Sequence, residues 1–305
     1  MQKPPTALAL STLVLSVVIA GTASGRDIFV NNLSGDDRND GHEEKAVIGG
    51  SGPCRTIARA LRAADKGDRI VIANTGEPYR EGVTVQAGWN SGYEYRPFII
   101  EGNGAVLDGS QPVPKDEWTH VVGNVFRFQP KRLAHQQLFR DDRPLVRREV
   151  VEPVQLPKLE PLEWCLFNQA IYFRTEPFKI PQNYNLSYAA ETVGVTLYEV
   201  RNVVINNLIV QGFQLDGVNA HDSAFDVTLS GVTARGNGRS GVSVGGASRV
   251  TLEACLLGNN GVAQLRTEGF SHTRVLDSDL LDNTAPPVVR EGGELTIEDR
   301  RPPAG

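Results

Sequence analysis

The chain has 305 residues, with 31 Lys+Arg against 36 Asp+Glu for a formal charge of -5. No basic run stands out beyond "DDRPLVRRE", where carboxylates dilute the arginines. That excludes a nucleic-acid footprint and bulk-charge binding of a polyanion, and leaves a local basic groove or a bridging metal as the routes to one. Cys54, Cys165 and Cys255 are too few and too scattered for a disulfide framework or a zinc ribbon, so at most one pair can form.

At the amino terminus, Lys3, an apolar run from Ala7 to Ala20 and the small residues "GTASG" read as a secretory signal peptide over residues 1–25. The run is shorter than the roughly 18 residues of a spanning helix, so stable membrane insertion is not expected. The expected location is secreted, periplasmic or at the cell surface. "SGDDRNDG" follows, with Asp36, Asp37, Asn39 and Asp40 close together. These side chains could bind calcium, but the twelve-residue loop pattern is incomplete and an Asx-rich turn is the expectation. A short helix is predicted from about Thr56 to Ala64, with Ile57, Ala60, Leu61 and Ala64 on one face.

Residues 110–192 are rich in proline and aromatics and read as short strands and turns. "LEWCLFNQAIYF" is too apolar for a solvated linker, so this segment is expected to pack as a β-rich insertion.

From 193 to 297 the chain repeats every 23 to 24 residues. Ile205, Leu229, Leu252 and Val275 fall in one column, and Val218, Val242, Leu265 and Val288 in another. So short a unit cannot bury an apolar face alone; stacked coils can, and alternating residues with Gly and Asn at the bends indicate a β-solenoid. Asn237, Asn260 and Asn283 form a polar column at one bend, where stacked amides can hydrogen-bond from coil to coil. Cys255 occupies a periodic apolar position and reads as a small buried hydrophobe.

Rows such as "DGVNAHDSAFDVTLSG" and "SGVSVGGASRVTLEAC" resemble the right-handed parallel β-helix repeats of the pectate lyase-like superfamily. "DIFVNNLSGDDRNDG" and "RPFIIEGNGAVLDGS" are similar to the opening of exported members. The resemblance covers about 26–109 and 193–297. It implies an all-β, right-handed parallel β-helix solenoid with an N-terminal capping helix and a β-rich insertion, in one domain over 26–297 with a polar tail at 298–305. It also implies business with polysaccharide.

The family's active sites do not transfer whole. Of the polygalacturonase elements only "LDGV" matches, placing Asp216 at an acidic position; the other carboxylates, the His and the basic pair are missing. An inverting hydrolase needs both an acid and a base, so one Asp is insufficient. No pectate lyase motif is present.

The columns suggest a second constellation. His221, Gly245, Glu268 and Glu291 share one column, Asp222 and Gly246 begin the next, and Arg266 lies on the adjacent outward row. With coils about 4.8 Å apart, His221 and Glu268 would face each other over roughly 10 Å across the gap left by Gly245. Asp216, His221, Asp222, Arg266 and Glu268 are therefore the candidate catalytic residues. Paired glycines at a bend and solvated polar side chains are the bland account of the same residues.

His120, His135 and His272 lack a partner at metal-ligand spacing and are read as ordinary polar residues. No cofactor is assigned, and calcium is the one ion left open. Two functions fit: a glycosidase or polysaccharide lyase, or a non-catalytic module binding glycan or protein. Aromatics for sugar stacking would come from Phe213, Phe225 and Phe270 in the repeats and Trp118, Trp164, Tyr172 and Tyr184 in the insertion. The blunt, charged carboxyl end predicts a monomer.

Overall fold

The computed structural model describes residues 25–47, 49–86, 88–132 and 134–299. The signal-peptide reading of 1–24 and the end of the polar tail from 300 onward lie outside the described residues. Alternation of β-branched and polar residues winds the chain into about five turns of parallel strands with three faces.

Face A carries Val83–Gln86, Val195–Tyr198, Asp216–His221 and Ser240–Val244. Face B carries Asp27–Val30, Arg69–Ile72, Phe98–Glu101, Arg201–Asn206, Phe225–Ser230 and Arg249–Glu253. Face C carries Val106–Asp108, Ile209–Gln211, Thr233–Arg235, Leu256–Gly258 and Asp279–Leu280. The long strands Ala263–Leu276 and Val288–Glu298 run through the corner between A and B, joining both faces into one twelve-stranded sheet.

The predicted columns are the observed registers. Ile205 pairs with Leu229, Leu229 with Leu252 and Leu252 with Val275 on face B. Val218, Val242, Leu265 and Val288 stack likewise on face A. Burying these side chains from three sides gives one continuous core along the axis.

The Asn column needs one correction. At the corner between C and A, the left-handed residues are Gly236 and Asn259, each one position before the ladder. Asn237 and Asn260 instead turn inward, fully buried, and the Asn237 amide N–H and Nδ2 both donate to Asn260 Oδ1. The ladder then passes to Gln264, which bonds both Asn260 and Asn283, because Asn283 lies at the exposed end of the stack.

The helix is Ile57–Ala63, closing the apolar end with Ile57, Ala60 and Leu61. Thr56 caps it, and Glu81 accepts hydrogen bonds from the amides of Ile57 and Ala58. The acidic stretch is the expected turn: Asp37 accepts from the amides of Arg55 and Thr56, Asp36 pairs with Arg38, and Asp40 accepts from His42 and Ser51.

The insertion leaves face C and forms two four-stranded antiparallel sheets. One orders Arg143–Pro144, Leu138–Arg140, Leu186–Ala189 and Ser110–Pro112; the other orders Trp164–Phe167, Ala170–Arg174, Val125–Phe128 and Thr119–Val122. They bury their own apolar clusters, separate from the solenoid core, around Trp164, Phe128 and Phe173 and around Cys165 and Tyr172. All three cysteines are free and buried, with Cys54 in the solenoid core and Cys165 in the insertion. The Cys255 thiol sits 3.2 Å from the Leu229 carbonyl oxygen, and burial pushes its pKa up to about 11.

Candidate functional site

The five side chains singled out from sequence fall into three separate groups. Asp216 is fully buried, and its carboxylate accepts from Arg239 Nε at 3.0 Å and Nη2 at 2.5 Å, from Ser240 Oγ at 2.5 Å and from Asn219 Nδ2 at 3.0 Å. Taking a carboxylate out of water is unfavourable unless it is paired and hydrogen-bonded, and these donors lock it to Arg239 at the corner between C and A.

His221 and Asp222 pair at the opposite corner, between A and B, with Nδ1 3.2 Å from Oδ2. The His221 ring also lies against Tyr198, centroids 5.4 Å apart. Arg266 bridges Glu268, at 2.7 Å, and Glu291. The space over Gly245 is taken by Glu268 itself: a methyl group at 245 would stand 2.8 Å from Glu268 Oε1. The missing side chain there makes room for a carboxylate of the protein rather than for a ligand.

A larger concavity lies where the insertion meets the corner between C and A. The chain packs tightly at this joint: a methyl group on Gly238 would sit 2.0 Å from the His135 carbonyl oxygen. Beyond it opens a cleft of about 1180 Å³, lined by His135, Arg143, Arg147 and Glu149 from the insertion and by Arg235 and Val262 from the coils.

Its electrostatics are distinctive. Burial lowers the Arg147 pKa from the usual guanidinium range, its charge lies 5.4 Å over the Trp164 ring, and it makes no ion pair among the described residues. His135 is held below its ordinary pKa by burial first, then by Arg239 and Arg147. The imidazole therefore favours its neutral form in a field set by several guanidinium groups.

Residues 182–300 match the family described as "Right handed beta helix region". These coils are a right-handed β-helix. A "Glycoside hydrolase" structure is similar at 11% identity, TM-score 0.59, over 83% of this chain and 72% of that one. The structure titled "The complex structure of XylC with xylose" is similar at 12% identity, TM-score 0.43, over 90% and 70%. A lacto-N-biosidase from Eubacterium ramulus is similar at 13% identity, TM-score 0.39, over 83% and 40%. At these identities the likeness is one of fold. No curated protein sequence matches the chain.

In this β-helix, sequence reasoning found Asp216 but not its partner Arg239, because the register pairs Asp216 with Ser240 and only the side-chain geometry brings Arg239 across. The sequence marks His135 only as an ordinary polar residue and Arg147 only as one arginine of a carboxylate-diluted run, since the insertion has no period from which to read their direction. The insertion aromatics that sugar stacking would draw on are largely committed to its interior. Trp164 and Tyr172 are buried, and Trp118 and Tyr184 pack against the insertion core, because small antiparallel sheets need large rings to fill their interior. In the repeats, Phe213 is fully buried and Phe225 lies between Arg201 and Arg249. Among the described residues, no group of three or more His, Cys, Asp or Glu side chains is placed to hold a metal ion, and no helix is long and apolar enough to cross a membrane.

Proposed function

We propose that this β-helix protein is an exported, monomeric, carbohydrate-active enzyme that takes an acidic polysaccharide in the cleft beside the insertion. The observation that carries the reading is the convergence of guanidinium groups on that cleft, from Arg143 and Arg147 of the insertion and Arg235 of the coils, in a chain of net charge -5. Several guanidinium groups facing one concavity raise the local positive potential and would draw in an anionic ligand. His135, biased to neutrality, is suited to accept a proton near neutral pH, while Arg147 and Arg239 would offset charge developing on a nearby uronate carboxylate. Proton abstraction next to a carboxylate followed by elimination is the chemistry these groups fit best. Asp216 would serve by fixing Arg239, and Arg266 would add to the positive field at His135 from face A, while the His221–Asp222 pair lies at the far corner of that face.

One observation favours the rival reading, a binding module without turnover. Asp216 is saturated, and Glu268 and Glu291 are both tied to Arg266, so the acid–base carboxylates of a hydrolase are already occupied. The test is release of reducing ends and of ultraviolet-absorbing unsaturated product from acidic and neutral polysaccharides, with and without calcium, for wild type, His135→Ala and Arg147→Ala. Unsaturated product from an acidic polymer, lost in both variants, is the expected result. Retention on a glycan affinity gel without product from any polymer would establish the binding module instead.

A further inference from the structure

The corner between A and B carries rings that neither the core nor the cleft uses. Trp89 is about half exposed, Tyr198 is 36% exposed and Phe270 86% exposed. Trp89 belongs to a loop fixed to this corner: the Gly92 amide donates to the Arg201 carbonyl, and the Arg201 amide donates to Ser91 Oγ. Tyr198 ends the next strand of face A and pairs in register with His221 on the following coil. Phe270 sits at the same corner further along, its amide donating to the Gly246 carbonyl. Three coil steps separate the Tyr198 and Phe270 levels, or about 14 Å at the usual spacing of parallel strands.

The surroundings of Phe270 are bare. The preceding coil presents Gly246 and Ala247 at this corner, and the following coil presents Gly292 and Gly293. A substitution at Gly246 is doubly resisted, since φ is +62° and a methyl group would stand 2.6 Å from the Asp222 backbone. The ring therefore projects with no large side chain beside it, while His221, Asp222 and Glu268 lie between it and Tyr198 with hydrogen-bonding groups exposed.

We propose that this corner is a glycan-binding track, in which Trp89, Tyr198 and Phe270 stack on separated pyranose faces of one extended chain and His221, Asp222 and Glu268 bond the hydroxyl groups between them. The proposal rests on the polysaccharide reading above and adds a second contact surface for the same polymer, across face A from the cleft. Isolated rings separated by polar groups suit an extended ligand whose apolar patches are themselves separated. A protein partner would call for a contiguous apolar centre within a polar rim. Backbone geometry keeps side chains off 246, 292 and 293, where φ is positive at all three, and this leaves the Phe270 ring open on both sides.

The test measures retardation by immobilised acidic polysaccharide, together with turnover of a short oligosaccharide, for Phe270→Ala, Tyr198→Ala, the double variant and Phe270→Tyr. These side chains are exposed, so the melting temperature should hold. The expected result is several-fold weaker retention for each single alanine variant and roughly ten-fold for the double variant, about the worth of one or two aromatic contacts. Phe270→Tyr should retain binding, and short-substrate turnover should be unchanged throughout. Unaltered retention in the double variant, with loss in Arg147→Ala, overturns the track and leaves the cleft reading standing. A wild-type protein retained by no polysaccharide overturns both.

Discussion

The solenoid and the insertion reach stability by opposite routes. In the coils a residue's neighbours are its counterparts 23 or 24 positions away, so one small apolar side chain repeated many times suffices. In the insertion nothing repeats, and the interior is filled by a few large rings, with Trp118 tilted against Phe128 and Phe173, and Tyr188 edge-on to Phe128. The coils thus distribute their stability along an axis, whereas the insertion concentrates it in one place. The cleft is divided in the same way: the regular part contributes Arg235 and Val262 to its lining, and the irregular part contributes His135 and Arg147.

The difference is most directly broken by core truncation. Trp164→Ala should cost about 3–5 kcal/mol and act within the insertion, while Leu252→Ala should cost about 2–5 kcal/mol and loosen coils on both sides. Hydrogen exchange resolved by segment would tell them apart. If Trp164→Ala unprotects the amides of Ser240–Val244 as strongly as those of Ala170–Arg174, the two regions are one cooperative unit.

Next in size, Asp216→Ala strands Arg239 at the joint between them and should cost about 3 kcal/mol, read as a lower denaturation midpoint. Asp216→Asn, which keeps the shape and part of the hydrogen bonding, should cost less.

Gly246→Ala tests the coil corner itself. It should destabilise by about 1–3 kcal/mol, more than the same change at Gly76, where φ is also positive but no atom lies within 4 Å of the added methyl group.

The smallest effects are in pH, and they have opposite signs in the two regions. His135 has its pKa lowered in the fold, so the unfolded chain binds more protons between that value and about 6.5. Stability should rise with pH through this window, and His135→Gln should flatten the rise. Glu81, under the helix, has its pKa raised, chiefly by burial. Its contribution is present below about 4.5 and is lost as pH rises through the folded value. Glu81→Gln melts across the acid range would show whether that slope disappears.

What the sequence disclosed follows the same division. The columns through Ile205 and Val218 could be read because a strict period leaves one register that buries every apolar residue. The helix was legible from the spacing of Ile57, Ala60 and Leu61, and its start was marked by Thr56. The fate of the candidate site was less accessible. That Glu268 would lie over Gly245 depends on its pairing with Arg266, a choice among rotamers that no column encodes. His135 and Arg147 gain their character from the distance between two units folded by different rules. The one available signal was the crowding of arginines in "DDRPLVRRE", which the nearby carboxylates disguised.

The insertion's point of attachment has a consequence for how such a molecule can change. Ala190 and Glu191 both donate their amides to the carbonyl oxygen of Gly109, so the chain departs and returns through a single peptide group. Length can be gained or lost between these points without adding to a coil, provided the contacts that Gln214 makes with the Arg132 and Ala189 carbonyl oxygens are replaced. In a molecule built this way the excursion can vary in sequence independently of the period that sets the coils.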